Sequence, residues 1–180
     1  MVLLSFEEYD SKIAPFLRNG VIIDTSTLWE FIQGLVRTQR RTTDTGWKEE
    51  YNKIINLFDR IKLTGKWDRM FLTPHIMTET CSHVNIAYNK RGDFKDIGEQ
   101  VMSIMDAIDE KVPIKDDCVA CYECGRNLEP GDLSIYAVAD GFIKDKLKVA
   151  ILTKDSGFVS RYAENPYVMV IDHNLVQDLR

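Results

Sequence analysis

Short apolar runs, too brief to be helices, recur along this chain, and each but the last gives way to a polar residue and then to a helical pattern. Val21–Ile23 after Asn19-Gly20, Met70–Leu72, Lys148–Leu152 and Tyr167–Ile171 are such runs. A strand apolar at successive positions is one buried on both faces, as in a parallel sheet. Strands alternating with helices predict an α/β architecture, a three-layer sandwich around a mostly parallel central sheet.

The helical stretches follow the 3.6-residue period. Leu28, Phe31, Ile32, Leu35 and Val36 mark a helix over 27–36, capped by Thr25 or Ser26, and Tyr51, Ile54, Ile55, Phe58 and Ile61 mark one over 47–63 that stops before Gly65. Thr73-Pro74 opens a third, with a core stripe from Ile76 to Tyr88. A helix over 94–111, an edge strand over Val112–Ile114, a short helix from Asp116-Asp117 to Cys124, an almost wholly apolar helix from Gly131-Asp132 to Ile143 and a last helix over 156–162 complete the pattern.

The 180 residues suit one domain spanning 1–180, and a chain of this length buries about 70% of its extended surface on folding. No apolar run reaches the roughly 20 residues needed to cross a bilayer, and MVLLSFEEYD has neither the basic nor the apolar region of a signal peptide. The expectation is a cytoplasmic protein without a membrane partner. A net charge of −5 excludes binding of nucleic acid through overall charge, so any such binding must use a local basic patch together with metal ions.

In an open parallel sheet the carboxyl ends of the strands and the amino ends of the following helices share one edge, where ligands bind. Asp24 ends the first strand, Asp155 follows the fourth, Asp132 opens a helix, and Glu79 lies in the second turn of another. Each acid taken alone also reads as a helix cap or a complement to the helix dipole. Four together on one edge repel one another unless a divalent cation intervenes, and an all-oxygen set suits Mg²⁺ or Mn²⁺.

The segments VIIDTSTL, TPHIMTET, GDLSIYAVADGF and VAILTKDSGF stand in the order and context of the PIN-domain family, which the chain resembles over roughly residues 20–172. The family's strand-end aspartate falls on Asp24, its helix glutamate on Glu79, its third acid on Asp132 and the aspartate of its T-x-D segment on Asp155. The resemblance implies a Mg²⁺- or Mn²⁺-dependent ribonuclease that hydrolyses RNA, often the toxin of a toxin-antitoxin pair, with an antitoxin protein as partner and a homodimer as assembly. The chain departs from the family's compact toxins in a longer segment between Asp24 and Glu79, and in having Ser156 and Gly157 where a further acid would follow Asp155. The alternative is a non-catalytic PIN-like module that binds protein or RNA, its acids serving only as caps.

Groups placed to meet substrate are Thr25 and Ser26 beside Asp24, Arg37, Arg40 and Arg41 in a basic cluster, and Thr153 and Lys154 before Asp155, with Arg161 as a further cation. Cys118, Cys121 and Cys124 form C-x2-C-x2-C, which lacks a fourth thiolate and at helical spacing reads as core. His75, Glu79 and His83 share one helical face, a spacing compatible with zinc, yet without the HExxH arrangement. Neither of the glycine-rich phosphate-binding fingerprints occurs.

Overall fold

The computed structural model describes residues 6–39, 46–88, 94–123 and 129–172. Its centre is a five-stranded sheet in the order β3-β2-β1-β4-β5, with every neighbouring pair parallel. The strands are β1 (Val21–Ile23), β2 (Met70–Leu72), β3 (Asp109–Glu110), β4 (Val149–Leu152) and β5 (Val168–Ile171). Val21, Ile22, Ile23, Met70 and all four residues of β4 are 0% exposed. Successive side chains of a strand point to opposite faces, so both faces at the sheet centre are covered and the arrangement has three layers. Burying each such aliphatic side chain contributes about 1.5–3 kcal/mol, which makes the central strands the firm platform of the molecule.

Eight α-helices surround the sheet among the described residues: α1 (Phe6–Leu17), α2 (Thr25–Gln39), α3 (Lys48–Arg60), α4 (Pro74–Tyr88), α5 (Phe94–Ala107), α6 (Lys115–Glu123), α7 (Pro130–Lys144) and α8 (Ser156–Tyr162). Helix α2 packs on α3 and α4, α7 on α4 and α6, α1 on β4 and β5, and α8 on β5. The turn into β1 depends on Gly20, whose φ is 99° and whose place leaves no room for a Cβ, which would lie 2.3 Å from the Phe71 ring. Only glycine meets both conditions.

Two elements differ from the sequence expectation. The reading of the sequence places nothing before Val21, where the structure has α1 with Ile13 in the core and Phe16 and Leu17 against it. Pro15 lies inside this helix, and an interior proline normally signals a helix end. The helix expected over 94–111 stops at Ala107, and the edge strand is Asp109–Glu110, paired with Phe71–Leu72, instead of Val112–Ile114. Val112 and Ile114 are 68% and 65% exposed. An edge strand needs only backbone hydrogen bonds on one side, so its side chains can be two exposed acids without any apolar pattern.

The chain passes from β1 outward to β2 and β3, then returns across the sheet to β4 on the other flank of β1. The connections that leave β1 and β4 therefore diverge, and a crevice opens at the carboxyl ends of these two strands, the usual ligand position of such sheets.

Candidate functional site

Asp24 and Asp155 both stand at this crevice. Ile23 pairs with Leu152, and the backbone N–H of Asp24 donates to the Leu152 carbonyl at 3.0 Å. The chain then enters α2 at once, with the Leu28 N–H donating to the Asp24 carbonyl. Helix α2 thus begins at Thr25, two residues before the expected start, and Asp24 takes the flanking place expected of Thr25 or Ser26. Asp24 is 9% exposed. Its Oδ2 accepts hydrogen bonds from Ser26 Oγ at 2.6 Å and Thr153 Oγ1 at 2.7 Å.

Thr153 is fully buried and does two things with one hydroxyl: it donates to Asp24 and accepts from the Asp155 N–H at 2.9 Å. The acids at the ends of β1 and β4 are therefore coupled through a single oxygen. The Asp155 carboxylate caps α8, Oδ1 accepting from the Gly157 N–H at 2.7 Å. Thr25 Oγ1 donates to Glu79 Oε2 at 2.9 Å, tying α4 to the start of α2. The three hydroxyls expected beside a substrate are thus engaged: those of Thr25, Ser26 and Thr153 position the acids.

Glu79 also meets the start of α7, since a Cβ built on Gly131 would lie 3.0 Å from Glu79 Oε2. A side chain at position 131 would crowd this carboxylate, which would have to shift by a few tenths of an ångström. The two helix starts are joined below by Thr73 Oγ1 and Ser134 Oγ at 2.6 Å, while Thr73 Oγ1 accepts the Ile76 N–H as the cap of α4. Sequence reasoning finds Thr73 through the Thr-Pro signal but misses Gly131 and Ser134, whose roles exist only across the α4–α7 contact.

Asp132 registers the convergence. Its carboxyl is pushed up to about 6, first by burial and then by the charges of Asp24 and Asp155, with the Glu129 backbone N–H pulling the other way. Like charges close by raise an acid in this way. Carboxylates from α7, β1 and the β4 edge are therefore close enough to repel. Among the described residues, no three His, Cys, Asp or Glu side chains are gathered, as they stand, into a group that could hold an ion. The fit to a divalent cation lies in donor chemistry and charge: Asp24, Asp132 and Asp155 are hard oxygen donors with repulsion to relieve, and Glu79 is a fourth such donor held by Thr25.

The remaining expected groups fall elsewhere. Lys154 pairs with Glu30. Arg161 lies over the Tyr136 ring at 4.2 Å and pairs with Asp140 at 3.5 Å, so its guanidinium is held within the fold. Arg37 is in the last turn of α2, whereas Arg40, Arg41 and Cys124 lie outside the described residues. Cys121 is buried and its thiol is pushed up to about 11 by burial and Asp140; Cys118 is raised too, by burial and Asp117. Both stay protonated at neutral pH, unlike metal-bound thiolates. His83 stacks on Trp29 with ring centroids 5.5 Å apart, which gives it a packing role.

Fold and site together define a parallel α/β protein with an acidic cluster at the switch point of its sheet. In comparisons with known proteins, no family model, curated protein or solved structure matches the chain. Among the described residues no helix is long and apolar enough to cross a membrane.

Proposed function

We propose that the chain is a PIN-like, divalent-metal-dependent endoribonuclease. The observation that carries the reading is the placement of Asp24 and Asp155 on one buried Thr153 hydroxyl at the carboxyl edge of β1 and β4, with their charges reaching Asp132. Asp24 is buried and Asp132 half-buried; acids whose charges meet away from full solvent are costly without a cation, and the edge they occupy is where α/β sheets bind ligands.

Asp24, Glu79, Asp132 and Asp155 would hold Mg²⁺ or Mn²⁺. Such an ion supplies an activated water and relief of the charge that builds on a phosphodiester during displacement. The protein's own part is preorganisation. Ser26 and Thr153 fix the Asp24 carboxylate, Thr25 fixes Glu79, and Gly131 keeps the space between Glu79 and α7 open. Because Thr153 also takes the Asp155 N–H, the approach angles of two acids are set by one buried side chain. An antitoxin partner and a homodimer follow from the family resemblance alone, and the reading needs neither.

The non-catalytic alternative draws on Asp155, whose carboxylate already serves as the cap of α8. The test is cleavage of a panel of RNAs by purified protein with Mn²⁺, wild type beside Asp24→Asn. Cleavage by the wild type and its loss in the variant support the nuclease; no cleavage, or equal cleavage by both, favours the binding module.

A further inference from the structure

Beside the acids lies a pocket of about 370 Å³, within the range of small-molecule and nucleotide sites. Its walls come from the first turns of α4 and α7, through His75 and Leu133, and from α6, through Lys115, Cys118, Val119 and Tyr122. His75 is one turn before Glu79 on α4, and Leu133 follows Asp132 on α7. One turn of helix is about 5.4 Å, so the pocket adjoins the acidic crevice along the same sheet edge.

The lining combines an apolar floor with an exposed aromatic ring and a cation. Tyr122 is 55% exposed and Val119 45%, large apolar surface left open at a built pocket. Lys115 has no carboxylate partner among the described residues, while its neighbour Asp117 is paired with Lys144 at 3.0 Å. A flat π-face, an imidazole and an ammonium without a carboxylate partner among the described residues, next to an acidic crevice, suit a base turned out of a strand whose phosphates run past a cation. Proteins take single-stranded RNA in this manner, stacking unpaired bases on aromatic side chains.

We propose that this pocket receives an unstacked nucleobase next to the phosphodiester at the acids. The proposal rests on the nuclease reading for its choice of RNA. Tyr122 stacks on the base, Lys115 meets the adjoining phosphate, and a base held in a duplex cannot enter.

The test measures binding apart from cleavage. Fluorescence anisotropy of a short fluorescein-labelled single-stranded RNA of mixed sequence, with Ca²⁺ supplied as a hard cation for the acids and a gel to verify that the strand stays intact, is read for wild type, Tyr122→Ala, Tyr122→Phe and Lys115→Ala. The same strand annealed to its complement is the control, and thermal unfolding checks each variant. Stacking contributes about 1–3 kcal/mol per base, so Tyr122→Ala is expected to weaken binding about tenfold or more while Tyr122→Phe restores it and the duplex binds less well than the single strand. Binding unchanged in a folded Tyr122→Ala, a duplex that binds as tightly as the single strand, or no binding by the wild type overturns the proposal, the last turning attention to a protein segment as occupant. The two readings fail separately. Tyr122-dependent binding with no cleavage in Mn²⁺ retains the pocket and removes the nuclease, and cleavage with Tyr122→Ala binding like wild type does the reverse.

Discussion

Helix α7 carries two half-buried aspartates in opposite company. Asp140 faces donors: Arg161 at 3.5 Å, the Tyr162 hydroxyl at 3.3 Å and Cys121 Sγ at 3.6 Å. Asp132, eight residues earlier on the same helix, faces the charges of Asp24, Asp155 and Glu129. An acid with a guanidinium and a phenol is accounted for by structure alone. One set among other acids raises a demand for positive charge that no ion pair among the described residues meets, and this contrast separates the fold's polar hub from its candidate site.

The contrast can be broken from either side. The largest expected effect is on activity: Asp24→Asn, which keeps an oxygen acceptor for Ser26 and Thr153, lowers Mn²⁺-dependent RNA cleavage on the order of a thousandfold, since a bound metal is worth several kcal/mol of transition-state stabilisation. Kinetics on one labelled RNA measure it. Next is Asp140→Ala, which leaves Arg161 without its partner. Breaking a buried pair costs 3–5 kcal/mol, and solvent screening at a site one-third exposed reduces that to about 2 kcal/mol. Urea unfolding is expected to show this loss while the response to Mn²⁺ stays as in wild type.

Gly131→Ala places a methyl against Glu79 Oε2. Displacing a ligand's support usually weakens metal binding by 10–100-fold, and the small shift here corresponds to about tenfold, read from a Mn²⁺ titration of thermal stability. The smallest effect is on metal-free stability. Folded Asp132 keeps its proton up to about 6, whereas its ordinary value is 3.8. A raised acid favours the folded state at low pH and loses that contribution as pH rises through about 6. Asp132→Asn is therefore expected to match wild type near pH 4 and to exceed it above pH 7 by about 1 kcal/mol, a value discounted for a half-exposed group. Urea midpoints in chelator at the two pH values check this, and saturating Mn²⁺ is expected to reverse the order.

The platform of the site was legible because burial on both faces forces an apolar run, and the residue after the run must lie on the ligand edge. Val21–Ile23 with Asp24, and Lys148–Leu152 with Asp155, are read that way, and the strands end where expected. Helix α1 escaped because Pro15 masks it, and β3 because two paired acids carry no hydrophobic pattern. The network around the acids escaped for another reason. Thr153 with Asp24, Thr25 with Glu79 and Gly131 with Glu79 are contacts between separate elements, and the residue types alone suggest only caps. Arg161 shows the same limit: a cation near Asp155 in sequence is committed to Asp140 in space.

The central claim, that the acids at the switch point form a divalent-metal site, is tested most directly by thermal unfolding of wild type and Asp24→Asn across a Mn²⁺ titration, because a ligand that binds the native state raises its stability. The expected result is a concentration-dependent rise in the wild-type unfolding temperature and none in Asp24→Asn. No rise in wild type, or an equal rise in both, contradicts the account.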